Sequence, residues 1–330
     1  MISIITCAYK PEEEIFKPAL AAIEKLQWPA GEQVEYIIID NAGGLRDIDY
    51  VKAFLTRNNW TRVVEETKPG LTQARLRGVN ESKGEWLVYF DQDNEPAADY
   101  LIEAQRVLEQ HVSVGVCGPG NVTVVFTGAV EPWVEKHTKA MMQELHMQQE
   151  VFTADALHSE FIPYGTGMIV RRDVMLRYQQ KINSAEYSGA DRSAGNLNSG
   201  GDVQIVFCAS TAGYLVGRTP LLVINHLIPP SRSTYAYVRR FSYGNGLETF
   251  PVVAEAYPGH VKQPGSTFRE SALFIYQCSR ELMRQGIIKQ NRKMMICKIA
   301  ALIAFKEGQY RFYDRKLPFI ITRFKKMLAL

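Results

Sequence analysis

Short apolar runs alternate with amphipathic stretches through the first half of the chain. Ile2–Cys7 is a nearly unbroken apolar run, the pattern of a strand buried on both faces. From Pro11 to Leu26 apolar residues recur at Ile15, Ala19, Ala22, Ile23 and Leu26, which predicts a helix. Val34–Asp40 predicts a second buried strand ending in a carboxylate, and Asn41-Ala42-Gly43-Gly44 a loop. A helix over 49–57, a strand over 62–65, a turn at Pro69-Gly70, a helix over 71–82 and a strand over 85–91 follow. Repeated strand–helix units imply a parallel sheet with right-handed crossovers. Ligands of such sheets collect at the carboxyl ends of the strands, where Thr6, Asp40 and Asp91 fall.

The second half is less regular. The pattern predicts a strand over 112–117, a helix over Trp133–Gln149 and a strand over Phe161–Val170 interrupted by Gly165 and Gly167. Residues 183–201 are rich in Ser, Gly, Asn and Asp and read as a long loop of the kind that often serves as a lid. A helix over 202–213, a strand over Leu221–Asn225 and then His226 come next, and beyond Pro229-Pro230 the chain reads as helical. No internal repeat or low-complexity tract interrupts this order.

Length and composition change the picture only slightly. At 330 residues with 46% hydrophobic and 22% charged positions, the chain is globular and long enough for one large domain or two small ones. Five scattered cysteines contain no C-x-x-C pair, which excludes a zinc ribbon and a thioredoxin-type site and fits a reducing compartment. The N-terminus lacks the basic region of a signal peptide, and no apolar run reaches the ~18 residues of a spanning helix. A cytoplasmic protein is expected, with any membrane contact peripheral. Charge, by contrast, is uneven. Residues 262–330 hold 15 Lys/Arg against 4 Asp/Glu, whereas residues 1–261 are net acidic. Such a tail suits an anionic surface or, equally, a set of solvated helices.

The sharpest chemical element is Asp91-Gln92-Asp93-Asn94 at a strand end. Two carboxylates one residue apart are costly to hold together unless something neutralises them. A divalent cation such as Mn2+ or Mg2+ does so and keeps open positions for a diphosphate. The plain alternative is an acidic loop in which Asp93 or Asn94 caps the next helix.

Context favours the metal. Lys68-Pro69-Gly70-Leu71-Thr72-Gln73-Ala74-Arg75-Leu76-Arg77-Gly78, then Lys83-Gly84-Glu85, then the strand into Asp91-Gln92-Asp93, resembles the family-2 glycosyltransferases of the GT-A fold. In that family a G-x-x-x-A-R-N-x-G helix and a K-G-[DE] turn precede a strand ending in D-x-D; Leu76 stands here where Asn is usual. Ser3–Lys10 looks like the family's first strand and its P-T-Y-N turn, without the usual Pro and Asn. Glu35–Asn41 is similar to its second strand, Gly165–Val174 to its G-x-x-[MA]-x-x-R-R segment, Gly200-Gly201-Asp202 to its G-E-D segment, and His226 to its late histidine.

The resemblance implies a GT-A α/β fold over residues 1–245, with a nucleotide-sugar half (1–127) and an acceptor half (128–245), and a helical basic extension over 246–330. It implies nucleotide contacts from Thr6, Ala8, Tyr9 and Gly70, with Asp40 on the base and Arg75 near base and phosphate. Asp91 would bind the metal or the donor ribose, Asp93 the metal, and His226 would be a further metal ligand. Asp202 would be the general base, and Arg232 would hold the diphosphate, since arginine matches phosphate bidentately. Each residue has a plainer use: Asp40 as a strand-end cap, Arg75 and Arg232 as surface residues, His226 as a packed histidine, Asp202 as a helix N-cap.

The implied reaction is transfer of a sugar, with inversion, from a nucleotide-diphosphate sugar to a glycan or lipid-linked acceptor in cell-surface polysaccharide synthesis. The segment 317–328, mixing aromatic, aliphatic and basic residues, is a candidate for anionic lipid; the alternatives are a helix packed back on the domain or a dimer contact. A sugar-nucleotide pyrophosphorylase would need a Gly-rich loop after the first strand, where Cys7-Ala8-Tyr9-Lys10-Pro11-Glu12 stands. A dehydrogenase would need G-x-G-x-x-G after a strand, which is absent. A non-catalytic glycan-binding module would have no use for the acids at 91, 93 and 202, and nothing beyond the basic tail points to nucleic acid.

Overall fold

The computed structural model describes residues 1–189, 191–192 and 197–330, so residues 190 and 193–196 of the expected loop over 183–201 lie outside the described residues. The chain divides into two compact units: residues 1–129, 139–189 and 201–230 form the first, and residues 130–138, 190–200 and 231–330 the second.

The first unit opens with β1 (Ile2–Ala8), α1 (Glu13–Ile23), β2 (Val34–Asp40), α2 (Asp49–Arg57), β3 (Thr61–Glu65), α3 (Leu71–Glu81), β4 (Trp86–Tyr89), β5 (Asn94–Pro96) and α4 (Tyr100–Gln110). It continues with β6 (Val114–Phe126); α5 (Pro132–His137) belongs to the second unit. β7 (Leu145–His146), β8 (Val151–Thr153), β9 (Met168–Arg171), α6 (Arg172–Asn183), α7 (Gly201–Thr211) and β10 (Leu215–Ile228) complete it. The strands make one sheet in the order β3-β2-β1-β4-β9-β6-β10-β5, with β7 on β6 and β8 on β10. β1, β2, β3 and β4 run parallel, as do β6 and β10; β9 enters antiparallel between β4 and β6. Every residue of β2 is buried, as a central parallel strand requires.

A buried polar node closes the amino-terminal edge of the parallel strands. Ser3 Oγ and the Lys83 N–H both donate to Glu35 Oε1 at 2.7 Å, and Arg62 Nη1 donates to Oε2 at 2.7 Å. Burial alone would push the Glu35 carboxyl up, but these three donors and the Arg62 charge outweigh it and hold the group below the usual range. The Gly84 N–H donates to Ser3 Oγ at 2.8 Å. The Lys83-Gly84 turn thus serves packing at the edge opposite the candidate site.

Several irregular elements differ from the pattern. The helix expected over Trp133–Gln149 ends at His137, where Thr138 Oγ1 turns back onto the Val134 carbonyl. A 3-10 turn at Lys139–Met142 and a positive φ at Gln143 then deliver Leu145–His146 to the sheet edge, where ladder pairing outweighs helical spacing. The strand expected over 161–170 is confined to Met168–Arg171, since Gly167 has φ of +65°. β6 and β10 are both longer than their apolar runs suggest. β10 absorbs Pro220 at a register shift between Thr219 and Val223, so His226 lies inside a strand rather than after one. Among the described residues no disulfide joins the cysteines, four of which are buried.

The second unit is helical: α5, α8 (Tyr235–Ala256), α9 (Thr267–Glu281) continuing into a π-helical segment at Leu282–Ile288, α10 (Arg292–Phe312) and α11 (Phe319–Met327). α8 and α10 approach backbone to backbone: a Cβ on Gly308 would lie 2.1 Å from the Leu247 carbonyl oxygen. Trp133 Nε1 donates to Asn291 Oδ1 at 2.8 Å and ties α5 to the start of α10. On α11, Ile321 is fully buried, and Ile320, Phe324, Leu328 and the preceding Leu317 pack against Phe274, Cys278, Ile299 and Ile303. The 317–328 segment therefore folds back within its unit, leaving Phe319 and Met327 outside.

Candidate active site

The carboxyl edge of the sheet gathers most of the expected residues. Ala8 closes β1 opposite Asp40 at the end of β2. The next residue, Tyr9, is partly exposed, and its N–H donates to Gln92 Oε1 at 2.8 Å, which joins the end of β1 to the Asp91–Asp93 loop. Thr6 is buried, its hydroxyl accepting from Tyr36 at 3.0 Å. Asp40 accepts the N–H groups of Ala42, Gly43 and Leu45 at 2.8–3.1 Å, the strand-end cap that shapes the loop after β2. A carboxylate has about four acceptor positions, so one more donor can be taken. Asn41 fixes the loop leading to Gly70: it donates to the Glu66 and Lys68 carbonyls and accepts the Gly70 N–H at 2.8 Å. Arg75 is a buried residue of α3 rather than a surface one.

The two acids after β4 are held differently. The Asp91 N–H donates to Asn94 Oδ1 at 2.9 Å, and Asn94 Nδ2 donates to Asp93 Oδ1 at 3.1 Å. Asn94 is thus the buried bracket of the loop. Neither Asp93 nor Asn94 caps a helix: α4 begins after Asp99 with no side-chain cap. Asn94 instead opens β5 and pairs with His226 on β10. This pairing sets His226 Nε2 3.6 Å from Asp93 Oδ2, with both side chains buried. The opposite ring nitrogen, Nδ1, lies 2.9 Å from the Met142 carbonyl. A carbonyl only accepts, so Nδ1 carries a proton, and Nε2 is the ring nitrogen that faces Asp93. That is how a metal-ligating histidine is usually held. Among the described residues no three His, Cys, Asp or Glu side chains converge into a closed cage. An Asp–His pair suits a cation that takes its remaining ligands from phosphate and water.

The general-base candidate is tied to the same loop. Asp202, in the first turn of α7, accepts the Val203 N–H on Oδ1 (2.9 Å) and the Gly165 N–H on Oδ2 (3.1 Å). The next residue, Thr166, donates its hydroxyl to Asp91 Oδ2 at 3.2 Å. Two consecutive residues therefore hold the two carboxylates to which different roles were assigned. Gly165 lies close to both side chains: a Cβ there would come 2.7 Å from Arg75 Nη2 and 3.6 Å from Asp202 Oδ2, so a larger residue would displace the Arg75 guanidinium. Tyr100 anchors the same stretch from below, donating to the Gly167 carbonyl at 2.5 Å.

Arg218 on β10, which the apolar pattern passes over, completes the arrangement. It is 1% exposed; Nε donates to the Ile162 carbonyl at 2.8 Å, and the guanidinium lies 3.8 Å from the Tyr164 ring centre. Burial draws its pKa down, and Tyr164 and the Asp202 carboxylate oppose that. A charged residue inside the run Leu215-Val216-Gly217-Arg218 was the available signal, since arginine is rarely buried without a task. Arg232, the remaining expected residue, belongs to the second unit, at the end of the 3-10 turn Pro230–Arg232.

Comparison with known proteins bears on the family and the fold. The profile described as glycosyl transferase family 2 matches residues 3–178, more than half of the chain. EpsH of Bacillus subtilis (strain 168), a protein named as a glycosyltransferase, is 21% identical over 116 residues, which are 35% of this chain and 33% of the relative, so the match spans about a third of that protein's length. Among solved structures, a mannosyltransferase from Pyrobaculum calidifontis in complex with GDP-Man and Mn2+ superposes with a TM-score of 0.55 at 16% identity, covering 96% of this chain and 88% of that one. GalNAc-T7 with UDP, GalNAc and Mn2+ gives 0.53 at 12% identity over 96% of this chain and 58% of that one. The sheet order and these likenesses give the GT-A fold, and the chain belongs to glycosyl transferase family 2.

Proposed function

We propose that the chain transfers a glycosyl group, with inversion, from a nucleotide-diphosphate sugar to a hydroxyl of a glycan or lipid-linked acceptor. The observation that carries this reading is the Gly165-Thr166 bridge between Asp202 and Asp91, beside the Asp93–His226 pair. Asp93 and His226 would hold a divalent cation, with Asp91 toward the cation or the donor ribose. Bound there, the cation would act as a Lewis acid on the departing diphosphate. Asp202 takes the proton of the attacking hydroxyl, and the Gly165 N–H keeps its carboxylate oriented for that transfer. A lone base implies one direct displacement. The nucleotide would lie along the ends of β1 and β2, against Tyr9, the remaining acceptor position of Asp40, Gly70 and Arg75. Nucleotides and Mn2+ in structures of the same fold support the donor class and the cation.

The test is release of nucleoside diphosphate from a panel of UDP-, GDP- and dTDP-sugars with Mn2+ or Mg2+. One donor should turn over only with the metal, and Asp202→Asn should lower turnover about a thousandfold while donor still raises the melting temperature. Unchanged turnover in Asp202→Asn, or a covalent glycosyl adduct on Asp202, defeats the reading.

A further inference from the structure

The second unit carries an apolar face that its own core does not use. Along α9 and the π-helical segment the buried line runs through Glu270, Phe274, Cys278, Glu281 and Gln285. The opposite side bears Phe268, Ile275 and Tyr276, seven and eight residues apart and so on one helical face, with 85%, 49% and 61% of their surface exposed. Past Glu281 the i, i+5 winding of the π segment brings Leu282 with Ile287, and Met283 with Ile288, onto adjacent turns. All four are exposed, Ile288 by 72%. Scattered exposed apolar residues are ordinary, whereas a stripe of seven running along some 20 residues marks an interaction surface.

Charge identifies what it meets. Arg269, Arg280, Arg284 and Lys289 are exposed on the same stretch, and Arg269 and Arg280, eleven residues apart, fall on one line of α9. The few acids of residues 262–330 scarcely offset them. Glu270 is buried with Lys306 Nζ at 2.6 Å, Glu307 is paired with Lys325 at 2.7 Å, and Glu281 is buried, which leaves Asp314 as the exposed acid of this stretch. A second copy docking on the stripe would set arginine against arginine. A surface with an apolar interior beneath anionic headgroups satisfies both halves of the pattern. Among the described residues no helix is long and apolar enough to cross a membrane.

We infer that the α9–π stripe, and not the C-terminal segment 317–328, seats the protein on an anionic lipid surface, with Phe268, Ile275, Met283 and Ile287 in the interface and Arg269, Arg280 and Arg284 on the headgroups. The inference is independent of the catalytic reading, and its assay contains no nucleotide sugar. The full chain is sedimented with phosphatidylcholine vesicles with and without phosphatidylserine. It should pellet with the anionic vesicles and stay soluble with the neutral ones. Met283→Glu/Ile287→Glu should reduce the bound fraction at least about tenfold. Arg280→Gln/Arg284→Gln should reduce it and weaken its salt dependence, while Phe319→Glu/Met327→Glu on α11 should leave it unchanged. Thermal melting confirms that each variant is folded; all six positions are exposed. Asp202→Asn should bind as the parent does. Failure of the parent to bind anionic vesicles, equal binding by the stripe variant, or a parent dimer that the stripe variant dissolves overturns the inference.

Discussion

Both units bury charge, but the helical unit also lays a continuous stripe of large apolar side chains in solvent. The sheet unit encloses Glu35, Asp40, Asp93, Arg75 and Arg218, with His226 beside Asp93. The helical unit also buries charge, at Glu248, Glu270, Glu281 and Lys306, but it leaves Phe268, Met283, Ile287 and Ile288 largely in solvent. Burying a charge is costly unless it is met by donors or an opposite charge, and exposing a large apolar side chain forgoes burial energy. In the sheet unit the enclosed charges other than the Glu35 node gather around the proposed site. In the helical unit they are paired within the packing, as Glu270 is with Lys306, and the departure is the uncovered apolar stripe. The helices differ as well. α1, α2, α3, α4 and α6 of the sheet unit begin without side-chain caps. In the helical unit α8, α9 and α10 are capped by Thr234, Ser266 and Asn291. Helices laid on a sheet are fixed by the strands they flank, whereas the three long helices of the helical unit secure their own N-termini; the short α5 and α11 do not.

The hardest blow to this contrast would be a buried charge that does nothing. Arg218 is the place to look. Arg218→Met keeps the side chain's bulk but leaves the Ile162 carbonyl unpaired, a loss of about 1–3 kcal/mol in denaturant titration. Because Ile162 and Tyr164 lead directly to the Gly165 N–H on Asp202, kcat should fall about ten- to hundredfold with donor KM unchanged. Arg218→Lys, which keeps the charge but loses the planar fork, should recover stability more than kcat. A variant that melts lower yet keeps full kcat would make Arg218 purely structural.

Much of the sheet unit was legible because parallel strands buried on both faces leave continuous apolar runs. β1, β2 and α3 lie within a residue or so of where the pattern puts them. The carboxylates at 91, 93 and 202 were legible through their order along a family pattern. Their supports were not. Thr166 meets Asp91 across 75 residues, and Arg218 meets Ile162 across 56, contacts that only the folded sheet creates. β6 and β10 were under-read because Gly118-Pro119-Gly120 and Pro220 look like breaks, yet the paired ladder tolerates them at an irregular register. The stripe on α9 was hidden for another reason: apolar periodicity states that a face exists but not which neighbour covers it. α11 shows the same pattern and its face is covered.

A smaller effect tests whether the sheet unit's other polar node is as tightly held as the site. Glu35 is a stronger acid when folded than when unfolded. Its stabilisation is therefore present above the unfolded carboxylate value of about 4.3 and disappears as pH falls through the lower folded value. Glu35→Gln should cost about 1–2 kcal/mol at neutral pH, because an amide NH2 must face Arg62 or the Lys83 N–H. That deficit should shrink in urea titrations carried below pH 4, where the parent carboxylate is itself protonated. A gap that stays constant into acid would mean that Glu35 contributes by shape rather than charge.

The smallest effect concerns the helical unit's caps. Ser266 accepts the Arg269 N–H at the start of α9, and Thr234 accepts the Tyr237 N–H at the start of α8. Each such bond satisfies one of the orphan donors of a helix end. Ser266→Ala and Thr234→Ala should each cost about 0.5–1 kcal/mol. The two helices differ in what else restrains them: α8 packs backbone against backbone on α10, whereas α9 keeps one face in solvent. Amide exchange in the first turn should therefore accelerate more for Ser266→Ala than for Thr234→Ala. Anionic vesicles should suppress the acceleration at α9 alone, since a helix seated on a surface gains the second wall that α8 already has.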